Sequence, residues 1–416
     1  MTLVELVTTG VAAGGEAVAR DDDGRVVFVA GALPGERVLA GVVEEHASFA
    51  KAQLVEVLDA ADGRLSPPCP EVANGCGGCG WQHVAPEAQR ALKATIVTDA
   101  LRRQGRIPHA VVDVGSPLPL TGFRTTLRLA VGPDGGAGFR RARSHDVVDV
   151  GECLIAHPLL RPMVVGARFG DVAEVTLRAG AGTGERMALV DPAAAGTTLP
   201  AGHDDVLVVG ADELRAGRRA WIHEALAGRR WRISARSFFQ ARPDGAEALV
   251  DTVAEALGPP RAPGERLLDA YGGVGLFAGT VGADRRTTVV ERSASSVADA
   301  RVNLADLDAK VLRLDVERWR PAPIDLVVAD PARSGLGKAA VRVLAATGAE
   351  RIVLVSCDPA SLGRDASLLT AAGYTWTGTR LVDLFPHTPH VEAVTSFDLR
   401  PSAGPPGTEQ GGHGHG

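Results

Sequence analysis

A thiol set where a strand gives way to a loop is a candidate nucleophile, and Cys357 holds such a place. The apolar run Ile352 to Val355 reads as a buried parallel strand. Ser356-Cys357-Asp358-Pro359 ends it, because Pro359 confines Asp358 to extended geometry. In open α/β sheets this carboxyl edge is where ligands bind. A lone cysteine is ordinarily a small buried hydrophobe and becomes reactive only with access and a lowered pKa, so the neighbours decide its meaning. Asp325 to Ala329 repeats the design, ending in Asp330-Pro331 ahead of Gly335 and Gly337. Two strands then deliver an acid and a thiol to one rim. Upstream, Arg266 to Asp269 runs into Gly272-Gly273-Val274-Gly275, which we read as a strand, a glycine-rich turn and then a helix. Glycines there let a nucleotide or nucleoside approach the backbone closely. Thr287 to Val290 is the next strand, with Glu291 at its end, about 20 residues past the loop, where an acid can take two ribose hydroxyls. The pattern is a Rossmann-like half-sheet.

A second chemical constellation lies earlier. Cys69, Cys76 and Cys79 follow a C-x6-C-x2-C spacing in a Gly- and Pro-rich segment that we expect to be neither helix nor strand. Cys153 is the fourth cysteine, and with Cys357 these are all five in the chain. Four thiolates suit a [4Fe–4S] cluster or a structural zinc, and spacing does not separate the two.

These groups need elements to position them. Five short alternating runs, Val4 to Val7, Glu16 to Ala19, Val26 to Val29, Arg37 to Val43 and Lys51 to Leu58, are separated by tight turns and predict a small closed barrel over 1–58. Residues 84–104 read as an amphipathic helix. Strand-like runs at 124–131, 146–150, 172–178, 186–190 and 205–209 predict an α+β central domain over 59–235, carrying the cysteines. The α/β domain follows over 236–400, and a low-complexity tail, 401–416, carries His413 and His415, too few for a metal site. No apolar run reaches the ~18 residues of a membrane span, and no basic-then-apolar leader opens the chain. We therefore expect a cytoplasmic protein without a membrane partner, and a monomer. The net charge of −6 argues against electrostatic binding of nucleic acid over the whole surface. The cations are nonetheless mostly arginine and clustered: Arg102/Arg103/Arg106, Arg140/Arg141/Arg143, Arg215/Arg218/Arg219 and Arg229/Arg230/Arg232. Such clusters serve phosphate contacts, or form solvated faces paired with acids.

Taken together, Ser237-Phe-Phe-Gln240, Asp269-Ala-Tyr-Gly-Gly-Val-Gly275, Glu291, Asp330-Pro-Ala-Arg-Ser-Gly, Ser356-Cys-Asp-Pro-Ala-Ser-Leu-Gly-Arg-Asp365 and Phe385-Pro-His-Thr-Pro-His-Val-Glu392 resemble the RNA 5-methyluridine methyltransferase family, in the family's order. Ala332, Asp358 and Leu276 depart from its usual pattern without removing a required chemical group. The stretch 24–38 looks like a TRAM domain, an RNA-binding barrel. The resemblance implies a C-terminal class I methyltransferase domain that uses S-adenosylmethionine on RNA. It assigns Cys357 as nucleophile towards C6 of uracil and Glu392 as the base that removes the C5 proton. Gln240, Asp269, Tyr271, Gly273, Glu291 and Asp315 would contact the cofactor, and Asp330 the cofactor or the uracil edge. The resemblance favours the [4Fe–4S] cluster over zinc, and ribosomal (23S) over transfer RNA. Arg333 or Arg364 could lower the Cys357 pKa, and His387, His390 or Asp330 could replace Glu392 as base. Two other classes stay open: a dinucleotide-dependent iron–sulfur oxidoreductase, although the loop lacks a full Gly-x-Gly-x-x-Gly, and a non-catalytic RNA-binding protein.

Overall fold

Alternation of small apolar and polar residues shapes the N-terminal barrel. Strands β1 (Leu3–Val11), β2 (Ala17–Arg20), β3 (Val26–Ala30), β4 (Arg37–Glu45) and β5 (Phe49–Asp59) close in the order β1-β2-β3-β5-β4, β4 pairing back onto β1. The inward positions are mostly Ala and Val, such as Ala17, Ala19, Val27, Val29 and Ala52, because a barrel this narrow leaves no room for larger side chains. The computed structural model describes residues 2–142 and 144–401. Arg143 and the tail from residue 402, with its two histidines, lie outside the described residues.

The cysteine-rich segment contains one helical turn, α1 (Pro70–Ala73), with Cys69 as its N-cap. The expectation of no helix there fails because proline, which breaks a helix interior, is tolerated in the first turn. Helix α2 (Pro86–Arg103) follows, close to the expected 84–104, then β6 (Val112–Val114). A six-stranded sheet, ordered β12-β11-β10-β7-β8-β9, is built from β7 (Thr126–Val131), β8 (Ala137–Arg140), β9 (Val147–Asp149), β10 (Glu174–Ala179), β11 (Arg186–Asp191) and β12 (Leu207–Gly210). Helices α3 (Arg161–Gly166) and α4 (Ala211–Arg215) are short. A hairpin of β13 (Trp221–Leu226) and β14 (Arg229–Ser234) turns through Ala227-Gly228, both at positive φ, as a two-residue hairpin loop requires.

The C-terminal unit contains α5 (Pro243–Leu257), β15 (Arg266–Ala270), β16 (Arg286–Glu291), α6 (Ala294–Asn303), β17 (Ala309–Arg313), β18 (Leu326–Ala329), α7 (Gly337–Ala345), β19 (Arg351–Ser356), α8 (Pro359–Ala371), β20 (Tyr374–Leu381) and β21 (Ala393–Leu399). Its eight-stranded sheet runs β17-β16-β15-β18-β19-β21-β20-β6. The first five strands are parallel, and β21 is antiparallel to both neighbours. Both faces are covered, as a parallel sheet requires. Leu268, Ala270, Val327, Ile352 and Leu354 meet α2, α7 and α8, whereas Leu267, Val328, Val353 and Val355 meet α5 and the β13–β14 hairpin.

Two expectations change. The stretch 59–235 is not one unit: β6 pairs with β20 in the C-terminal sheet, α2 packs on α8, and Trp231 of β14 is buried in the C-terminal core. Sequence order hid this because β6 has only three residues and its partner lies more than 260 positions away. Nor does a regular helix follow the glycine turn. Residues 274–284 form successive turns, with Gly275 at φ +94°, outside the helical region.

Candidate functional site

The strand ends of β15, β16, β18 and β19 open into a cavity of about 700 Å3, lined by Cys357, Asp330, Glu392, Gln240, Tyr271, Gly273, Glu291 and Asp315 among others. Cys357 follows the last residue of β19 and is pinned from both sides. Asp358 caps α8, accepting a hydrogen bond from the Ser361 amide at 2.7 Å, and Pro359 starts the helix. Ser361 also donates to the Arg333 carbonyl at 2.8 Å, joining the loops after β18 and β19. Asp365 of α8 accepts from the amides of Leu336 (2.6 Å) and Gly337 (3.0 Å), which fixes the Asp330 to Gly337 turn. Arg364 is engaged by Asp365 and by the Ser334 carbonyl. Arg333 is the arginine whose charge favours the Cys357 thiolate.

The charges of this rim do not favour that thiolate overall. Burial first, then the carboxyls of Glu392 and Asp330, push Cys357 up to about 11, with Arg333 opposing. Burial raises Asp330 to about 7. Glu392, 4% exposed, is pushed well above the ordinary carboxyl range by burial and then by Asp330. A thiol beside two carboxyls whose proton affinity burial raises has the groups for nucleophilic addition followed by proton removal.

The glycine turn forms the other end of the cavity. Glu291, at the end of β16, accepts from the Gly273 amide (3.1 Å) and the Ser293 amide (2.6 Å). Tyr271, at φ +62°, donates to Glu317 at 3.0 Å. Nothing stands within 4 Å of the place where a Cβ on Gly273 would be, so the bare backbone leaves space for a ligand. Asp269 departs from expectation. It is fully buried, does not line the cavity, and accepts from the Ala278 amide at 2.9 Å, so it braces the turn instead of meeting a cofactor. Its other oxygen, Oδ1, is buried without a partner, and burial pushes its carboxyl to about 7. Gln240 and the exposed ring of Phe238 form the opposite wall. Their segment is anchored by Ser237, whose hydroxyl donates to Asp299 at 2.6 Å.

Cys69, Cys76 and Cys79, close together in sequence, and the distant Cys153 line one cavity of about 290 Å3. Arg124, Arg333, Phe385 and His390 line this cavity and the larger one alike, so the two adjoin. Arg124 is the half-buried cation facing Cys79 and Cys153. Among the described residues, no three His, Cys, Asp or Glu side chains lie close enough to hold a single metal ion. Several clustered arginines are paired with acids: Arg229 with Asp306, Arg230 with Glu185, Arg232 with Asp299 and Arg218 with Glu213. For these residues the paired-face reading holds.

Residues that motif reading passed over include Phe238, Arg124, Asp299, Gln89 and Lys93. A signal existed for the last two: on a helical period they fall on the same face as Ile96, Val97 and Leu101, all buried in α2.

Compared with known proteins, residues 4–55 match the TRAM domain model, and residues 310–397 match the tRNA (uracil-5-)-methyltransferase model. An uncharacterised RNA methyltransferase of Streptomyces avermitilis is 39% identical over 93% of this chain and 96% of its own length. The 23S rRNA (uracil(1939)-C(5))-methyltransferase of Halomonas elongata is 35% identical, covering 96% and 90%. Among solved structures, the Pyrococcus abyssi tRNA (uracil-54, C5)-methyltransferase, in complex with S-adenosyl-L-homocysteine, shares the fold. Its TM-score is 0.73 at 23% identity, over 94% of this chain and 99% of that one.

Proposed function

Since this chain belongs to the RNA uracil-C5 methyltransferase family, we propose that Cys357 is its nucleophile, Glu392 its general base, and a uridine of 23S rRNA its target. The convergence of Cys357, Asp330 and Glu392 at one end of a single cavity, with Glu291 and the bare Gly273 backbone at the other, carries the reading. C5 of uracil is a weak nucleophile. Addition of the Cys357 sulfur to C6 moves the ring electrons into an enolate whose C5 can attack an electrophilic methyl, which is what S-adenosylmethionine supplies. Glu392 then takes the C5 proton, the C6–S bond breaks, and the electron pair returns to the thiolate. Glu291, Tyr271, Gly273, Asp315 and Gln240 would hold the methyl donor, and Asp330 would face the reacting base. Phe238, 68% exposed at the cavity mouth, offers a ring on which a base taken out of its stack can rest. The choice of 23S over transfer RNA is supported by the name and near-complete coverage of the Halomonas relative.

For the four cysteines we propose a [4Fe–4S] cluster. The four thiols line one cavity, and the family resemblance supports a cluster over a single zinc there. Cys69, Cys76, Cys79 and Cys153 would hold it, and its place is structural, beside the reacting groups.

The test of the chemistry uses two variants and one gel. Glu392→Gln protein should add to C6 and methylate C5 but fail to eliminate, accumulating a labelled protein–RNA adduct that survives denaturation. Cys357→Ala should form none. An adduct from Cys357→Ala, or full turnover by Glu392→Gln, refutes the assignments.

A further inference from the structure

Glu392 sits at the end of a loop, residues 382–392, that joins β20 to β21, and its own strand does little to hold that loop. The neck is closed by the Leu381–Ala393 pair and by the Val382 amide donating to the Glu392 carbonyl at 2.9 Å. Beyond the neck, the main external anchors come from the N-terminal part of the chain. Lys93 of α2, fully buried, donates to Asp383 at 2.6 Å and to the Phe385 carbonyl at 2.7 Å. Gln89, one turn earlier, accepts from the His387 amide at 2.6 Å, and its own amide group donates to the carbonyls of Trp81 (3.2 Å) and Val84 (2.8 Å). Trp81, two residues past Cys79, donates its backbone amide to the His387 carbonyl at 2.8 Å. Both peptide groups of His387 are thus held from outside while its backbone stands at φ +65°. A non-glycine residue keeps that conformation only where its surroundings impose it.

We propose that Gln89 and Lys93 are positioning residues for the general base: they fix the Glu392 loop so that its carboxylate reaches the C5 proton. This rests on the assignment of Glu392 made above. Neither residue lines the reaction cavity, so neither bears on addition or methyl transfer directly, and their loss should fall on the elimination step. A base displaced by about 1 Å can lose on the order of a hundredfold in rate.

The test uses the full chain, labelled S-adenosylmethionine, and RNA from a strain lacking this gene, which carries the unmodified target in whichever RNA holds it. Gln89→Leu should lower steady-state turnover at least about tenfold, keep single-turnover methyl transfer within about threefold, and accumulate the methylated covalent adduct. Gln89→Glu, which keeps the acceptor for the His387 amide but sets a carboxylate oxygen against the Trp81 and Val84 carbonyls, should recover only part of the turnover. Because a buried site can tolerate change poorly, the charge-free double variant Lys93→Met/Asp383→Asn provides a second reading of the same ratio. Equal slowing of methyl transfer and elimination, or unchanged turnover, overturns the proposal. Glu392→Gln is run beside them. If it accumulates adduct and the Gln89 and Lys93 variants do not, the positioning role alone fails; if it turns over normally, the base assignment falls and the positioning role with it.

Discussion

Cys357 should be a slow thiol in the free enzyme. An ordinary thiol near 9 is about 9% ionised at pH 8, whereas one held at about 11 is about 0.1% ionised, close to a hundredfold less. The causes rank as burial, then the charges of Glu392 and Asp330, with Arg333 opposing. Both carboxyls act on the thiolate only while ionised, and Asp330 is ionised mainly above about pH 7. Replacing Glu392 by Gln removes a negative neighbour and lowers the thiol pKa, so alkylation should quicken; Arg333→Ala removes the favourable charge and should slow it. The assay is carbamidomethylation by iodoacetamide from pH 7 to 10, with the Cys357 peptide quantified by mass spectrometry. The wild-type rate should rise about tenfold per pH unit across the range, because reaction follows the thiolate fraction. A plateau by pH 8, or a Glu392→Gln protein that alkylates more slowly, would refute this account. It would mean that RNA meets a thiolate already formed, instead of a thiol that must first give its proton to solvent.

S-adenosylmethionine at a hundred times its Kd should stabilise the fold by about 2.7 kcal/mol, and Glu291→Ala, which removes a carboxylate beside the Gly273 turn, should weaken binding at least about tenfold, read as a smaller melting shift; NAD(H) giving the larger shift would reopen the oxidoreductase reading. Protein made anaerobically should be brown with broad absorbance near ~400 nm, from a cluster on the four thiolates; a colourless protein with one equivalent of zinc refutes that assignment and leaves the methyltransferase standing. Asp299→Ala should cost about 3–5 kcal/mol in chemical denaturation, since it leaves the Arg232 guanidinium without its carboxylate and frees Ser237 beneath the Phe238–Gln240 wall; a loss under about 1 kcal/mol would refute that buried role.

The sequence determined what is local. Alternating small residues define the barrel, strand ends punctuated by Asp-Pro place Cys357 and Asp330 at one sheet edge, spacing from the glycine turn adds Glu291, and the order of motifs carries the family. Those signals survive because each depends on a few consecutive residues. Tertiary structure decided the rest. Nothing in the order of residues says that β6, from the middle of the chain, completes the C-terminal sheet, or that α2 covers it, since long-range pairing leaves no local period. Asp269 reads as a cofactor ligand in its motif, yet its side chain turns inward to the Ala278 amide, a choice made by the turn geometry around glycines. Lys93 and Gln89 fall on the buried face of α2 by helical period, but as polar residues there they need partners that the period does not name. Their partners are what sequence order hides, because the Asp383 carboxylate and Phe385 carbonyl that take Lys93, and the His387 amide that Gln89 accepts from, lie some 290 residues away.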